Sequence, residues 1–166
     1  MSTQVSGAGY GNNSYGKASL SYLALKNLLG DDLFKKSLHA YMENWNGKHP
    51  IPWDYFNSMN TASGQNLNWF FNNWFFTNNY IDLSIKNVAK NVVSIENVGG
   101  FAVPFDVNVV YEDNSTETLH QTPEIWKANQ KRTAIALKNK KQIKQVTLEG
   151  GIFMDATPSN NTLIIK

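Results

Sequence analysis

Leu67-Asn68-Trp69-Phe70-Phe71-Asn72-Asn73-Trp74-Phe75-Phe76 is followed, past Asn79, by Ile81-Asp82-Leu83-Ser84-Ile85-Lys86. The first run reads as a helix that is aromatic on nearly every side. Such a helix has to be buried on most of its faces. The second run alternates apolar and polar residues strictly, the period of a half-buried strand. The change of period between them places an all-helical stretch before an all-strand one.

Working upstream, Tyr15 to Leu29 carries Leu20, Leu23, Leu25 and Leu28 on one broad face, with Ser14 as its N-cap and Gly30 as its stop. Asp31 or Asp32 caps a second helix, whose face is Leu33, Phe34, Leu38, Tyr41, Met42 and Trp45. His49-Pro50-Ile51-Pro52 interrupts it, and Pro52 suits the first position of a third helix carrying Trp53, Phe56 and Met59. Ser63-Gly64 breaks the chain again ahead of the aromatic helix. Four helices this short cannot enclose that aromatic run by themselves, so it needs a further packing partner.

Working downstream, Phe105 to Val109 and Ile143 to Leu148 repeat the alternation. Turn signals stand at Lys90-Asn91, Asn97-Val98-Gly99-Gly100, Glu112-Asp113-Asn114-Ser115 and Gly150-Gly151. About seven short strands at this spacing predict an antiparallel sandwich. The expected fold is α+β by segregated halves, a short-helix bundle followed by an antiparallel Ig-like β-sandwich. Residues 1–13 read as a flexible glycine-rich lead-in, 14–79 as the helical part and 80–166 as the sandwich.

Composition narrows the function. The 166 residues include 42% hydrophobic and 13% aromatic residues, enough for a core and too apolar for a disordered chain. Charged residues are sparse at 17%, and 22 asparagines take up much of the polar share. The net charge of +2 gives no reason to expect a nucleic-acid partner. Without cysteine there is no disulfide framework, thiolate zinc site or cysteine nucleophile. No apolar run is long enough for a membrane span. The polar start has neither the basic nor the apolar region of a signal peptide and reads as the continuation of something longer. The compartment stays open, since a cysteine-free chain suits periplasm, cell surface or cytosol alike.

The residues spell no complete active site. His39, His49 and His120 form no i, i+4 pair of the kind a zinc protease helix uses. Gly7-Ala8-Gly9-Tyr10-Gly11 lacks the flanking strand and the lysine of a phosphate loop. Asp82, Asp106 and Asp155 have no evident partner, Lys138, Lys140, Lys141 and Lys144 read as a solvated turn, and Trp53, Trp69 and Trp74 read as helical core. From the residues alone, a non-catalytic binding or interaction module with a helical cap on a sandwich stays open.

One pattern goes further. Tyr15-Gly16-Lys17-Ala18, Leu28-Leu29-Gly30-Asp31-Asp32-Leu33-Phe34, Tyr41 and Trp45, Lys48-His49-Pro50-Ile51-Pro52, Asp54 and Phe56, Ser63-Gly64-Gln65-Asn66-Leu67 and Trp69 to Phe75 follow one another in order. In order and spacing they resemble the C-terminal part of the catalytic domain of aminopeptidase N-type zinc metallopeptidases, the gluzincin aminopeptidases. Asn97 to Pro104 and Asp155 to Asn161 resemble, less specifically, the sandwich that follows that domain in bacterial members.

The resemblance implies a protein that removes N-terminal residues from peptides, with zinc as cofactor of the parent enzyme. It puts the zinc ligands and the general base upstream, in a missing N-terminal catalytic half, so this chain alone would bind no zinc and be inactive. It also implies one catalytic residue here. Tyr15 matches the tyrosine whose phenol donates a hydrogen bond to the oxyanion of the tetrahedral intermediate, a role suited to a group protonated at neutral pH. Gly16 departs from the acidic residue common at its position, Lys17 reads as structural, and Tyr10 is a candidate second aromatic of the cleft.

Overall fold

The computed structural model describes residues 6–165. The chain packs as two compact units, residues 1–68 and 69–166.

The first unit is helical. It begins with α1 (Gly7–Gly11), which runs through a π-helical segment (Asn12–Lys17) into α2 (Ala18–Leu29). Helix thus replaces the described part of the expected lead-in, and residues 1–5 of it lie outside the described residues. Ser14, expected as an N-cap, lies inside this helical run. Two polar side chains along this run bond back to the preceding turn: the Asn13 amide donates to the Gly9 carbonyl (2.8 Å) and the Ser19 hydroxyl to the Tyr15 carbonyl (2.7 Å).

Gly30, at φ 77°, ends α2 and takes the N-cap position of α3 (Asp31–Trp45). Neither Asp31 nor Asp32 caps, because both already lie in the first turn, where a carboxylate favours the helix dipole. Asp31 accepts from Lys26 at 2.8 Å and from Lys35 at 2.5 Å, and these two ammonium groups hold its pKa down to about 2. The next helix, α4 (Pro52–Ser63), starts on Pro52 as expected, with Asp54 accepting the Ile51 N–H at 2.9 Å. Gly64, left-handed at φ 67°, stops it. Ala24, Leu25, Phe34, Phe56, Met59 and Leu67 are buried in this unit, and the Tyr55 ring meets those of Tyr22 and Tyr41.

The second unit takes in nearly all of the aromatic helix, α5 (Asn68–Phe75), and the strands. The secondary structure changes near residue 80 as the sequence predicts, but the packing unit already begins at Trp69. The partner that α5 needs is the strand region. Trp74 is fully buried, stacks on Phe101 at 4.4 Å between ring centroids, and donates its indole N–H to the Ala102 carbonyl at 3.1 Å. Asn73, also fully buried, donates to the Gly100 carbonyl and accepts the Ala102 N–H.

The strands are β1 (Leu83–Ala89), β2 (Val92–Asn97), β3 (Phe105–Tyr111), β4 (Thr116–Gln121), β5 (Arg132–Ala136), β6 (Ile143–Glu149) and β7 (Thr162–Ile164). They form two antiparallel sheets, β1-β2-β5 and β4-β3-β6-β7. Compared with the constant-type immunoglobulin order, the fourth strand has moved to the other sheet, where it pairs with β3. Lys90 and Asn91 both take positive φ, the conformation of a tight two-residue hairpin turn. Gly99 admits no side chain: a Cβ there would lie 2.2 Å from the Tyr80 carbonyl oxygen. Val93, Ile95, Val107, Val109, Tyr111, Trp126 and Val146 make up much of the core.

Candidate functional site

Tyr15 lies in the π-helical segment of the first unit. Single π turns inside α-helices recur at functional sites, because the wider turn re-aims the side chains on it. The Tyr15 side chain is 66% exposed. Its ring meets Tyr10 edge to face, with centroids 6.1 Å apart and planes at 75°. The two tyrosines, five residues apart, therefore present phenols on one stretch of helix surface. Two residues on, Lys17 is half-buried, and burial lowers its ammonium pKa. Tyr10 and Tyr15 together offer two hydroxyl donors, groups suited to stabilising negative charge on a bound group.

The other candidates part ways. His39 and His49 are exposed. His120 Nδ1 lies 2.6 Å from Asp106 Oδ1, across the β3–β4 pair, so Asp106 has a partner that the sequence did not reveal. Asp82 accepts from Thr157 (3.1 Å), and Asp155 accepts the N–H groups of Leu83 and Thr157 (both 2.7 Å). These two carboxylates tie the segment before β7 to the start of β1. The lysine-rich turn is exposed yet engaged: Lys141 pairs with Asp113 at 2.7 Å and Lys144 reaches Asn114. Trp74 is core as expected, Trp69 is half-buried, and Trp53 is not core: it is 55% exposed, at the solvent-facing start of α4.

Glu117 escaped the sequence reading, although its alternation with Leu119 puts it at an inward position of β4. It is buried and accepts four hydrogen bonds: from the Tyr111 hydroxyl (2.5 Å), the N–H groups of Lys138 (2.9 Å) and Asn139 (3.2 Å), and the Asn139 amide (2.7 Å). Burial works to raise its pKa, but these donors outweigh it and hold the carboxyl below its ordinary value. Burial and the same carboxylate push the Tyr111 phenol up to about 12.

A carboxyl whose folded pKa lies below its unfolded one adds stability that is complete above the unfolded value. That stability disappears as the pH falls through the folded value. Glu117→Gln is therefore expected to cost about 1–3 kcal/mol at pH 7 and to flatten the loss of stability toward acid. Urea midpoints of both proteins from neutral to acid pH measure this, and parallel acid limbs would contradict it.

A catalytic zinc centre needs about three converging protein ligands drawn from His, Asp, Glu and Cys. Among the described residues no three such side chains come together, so the residues present do not fit the metal and no step is assigned to it on this chain.

Comparison with known proteins adds to this geometry. Residues 3–74 match the family model described as "Peptidase family M1 domain". No curated protein matches the chain. Among solved structures, the chain is similar to Legionella pneumophila aminopeptidase A, crystallised in complex with aspartic acid. The identity is 14% and the TM-score 0.62. The match covers 85% of this chain but 17% of that one, and at this identity it shows a shared fold.

Proposed function

We propose, for a chain whose residues 3–74 match the family model of the peptidase family M1 domain, that it is the C-terminal part of an aminopeptidase that removes N-terminal residues from peptides. The observation that carries this reading is that the family match takes in the exposed Tyr15 and the helices around it.

Tyr15 is the residue to which we assign chemistry. As a peptide bond is attacked, its carbonyl oxygen gains negative charge, and the phenol O–H donates a hydrogen bond to that oxygen. A donor already placed by its helix needs little reorganisation when the charge develops. The packed edge of Tyr10 restricts the ring's freedom and so favours one placement. Lys17 supports the helix that carries Tyr15. Zinc enters as a cofactor of the full-length protein, held by residues of the N-terminal catalytic half, and the peptide substrate would lie against that half and Tyr15 together.

The isolated 166-residue chain, mixed with zinc and leucine p-nitroanilide, is expected to release no nitroaniline. Turnover that survives repurification would overturn the division of labour proposed here. The alternative, a binding module with a helical cap, predicts an inactive full-length protein as well.

A further inference from the structure

We propose that the groove between α3 and α4 binds a polyhydroxylated ligand of about the size of one sugar ring. The groove has a volume of about 340 Å³, toward the small end of ligand sites. Asn44 and Trp45 of α3 line it on one side. Asp54, Asn57, Ser58 and Thr61 line it on the other, spaced at i, i+3, i+4 and i+7 so that one face of α4 carries all four.

These polar groups are not spent on the fold. Among the described residues the side chains of Asn44, Asn57, Ser58 and Thr61 make no hydrogen bond, and Asp54 uses only Oδ2, on the Ile51 N–H. They converge on one concavity with both donors and acceptors. Each amide offers two N–H groups and a carbonyl, each hydroxyl donates and accepts, and the carboxylate accepts.

That inventory selects among ligands. An ammonium group donates only and would leave the amide and hydroxyl donors unmatched. An anion would meet the Asp54 carboxylate. An apolar ligand would strip water from every polar group without replacing it. Vicinal hydroxyls donate and accept alternately and match the whole set, while the alanine methyls of the lining and Trp45, one face of which lies under the Lys48 ammonium at 5.8 Å from the ring centroid, give the C–H face of a sugar ring an apolar surface. The proposal does not depend on Tyr15 or on peptide hydrolysis.

The test is an amide NMR titration of the 166-residue chain with glucose, with N-acetylglucosamine and, separately, with butylammonium chloride. One of the sugars is expected to give saturable shifts at Asn44, Trp45 and residues 54–61, with a Kd on the order of 1–10 mM. Asn57→Ala and Asp54→Asn should each weaken that binding by about 10-fold. Asn57 is exposed, and an asparagine at 54 keeps a side-chain oxygen that can accept the Ile51 N–H, so both variants should keep the wild-type spectrum elsewhere. If one fails to fold, the other carries the test. Saturation by neither sugar, saturation by butylammonium alone, or sugar binding unchanged in the folded variants would each overturn the proposal.

Discussion

Replacing Tyr15 by Phe in the full-length protein is expected to lower kcat by about 100–1,000-fold while moving KM little. The substitution is narrow. Phenylalanine keeps the ring and its edge contact with Tyr10, and removes one O–H. Tyr15 is 66% exposed, so the fold should lose no more than about 0.5 kcal/mol, the usual size of a surface change. A hydrogen bond made only to the developing oxyanion acts on kcat, because the ground-state carbonyl does not use it. A loss confined to KM would instead assign Tyr15 to substrate binding, and a wild-type rate would remove it from the mechanism.

Replacing Trp74 by Ala is expected to destabilise the second unit by about 3–5 kcal/mol. The indole is fully buried, stacked on Phe101 and hydrogen-bonded to the Ala102 carbonyl. Removing it opens a large cavity and leaves a buried acceptor unpaired, two costs that add. Urea unfolding followed at the sandwich signals measures the loss. Trp53→Ala is the control: more than half of that side chain faces solvent, and its loss should cost well under half as much. Equal costs for the two tryptophans would contradict the packing described for α5.

These residues also show what the sequence could and could not tell. The strand half was legible because burial imposes a period of two: β3 alternates buried and half-buried residues through all seven positions. The need of the aromatic helix for a partner was legible too, since an all-apolar helix cannot face water. Which unit met that need was not, because the Asn73 and Trp74 contacts reach residues 27 to 29 positions away. Trp53 was misjudged because a tryptophan three residues before Phe56 fits the apolar spacing, yet at the first turn of α4 it lies where that face meets solvent. The helix through residues 7–14 was missed because its glycines and asparagines are poor helix formers one by one, while side-chain bonds such as Asn13 to Gly9 form only once the turn exists. The role proposed for Tyr15 rests on the family pattern alone, for nothing in its spacing separates it from the other exposed tyrosines.

A protein that cleaves at a free N-terminus, as proposed for the one this chain belongs to, has to distinguish a free amine from a blocked one. The direct measurement is nitroaniline release by the full-length protein from leucine p-nitroanilide and from its N-acetylated counterpart. Steady turnover of the free-amine substrate and none of the blocked one is expected. Cleavage of both at similar rates, or of neither, would contradict it.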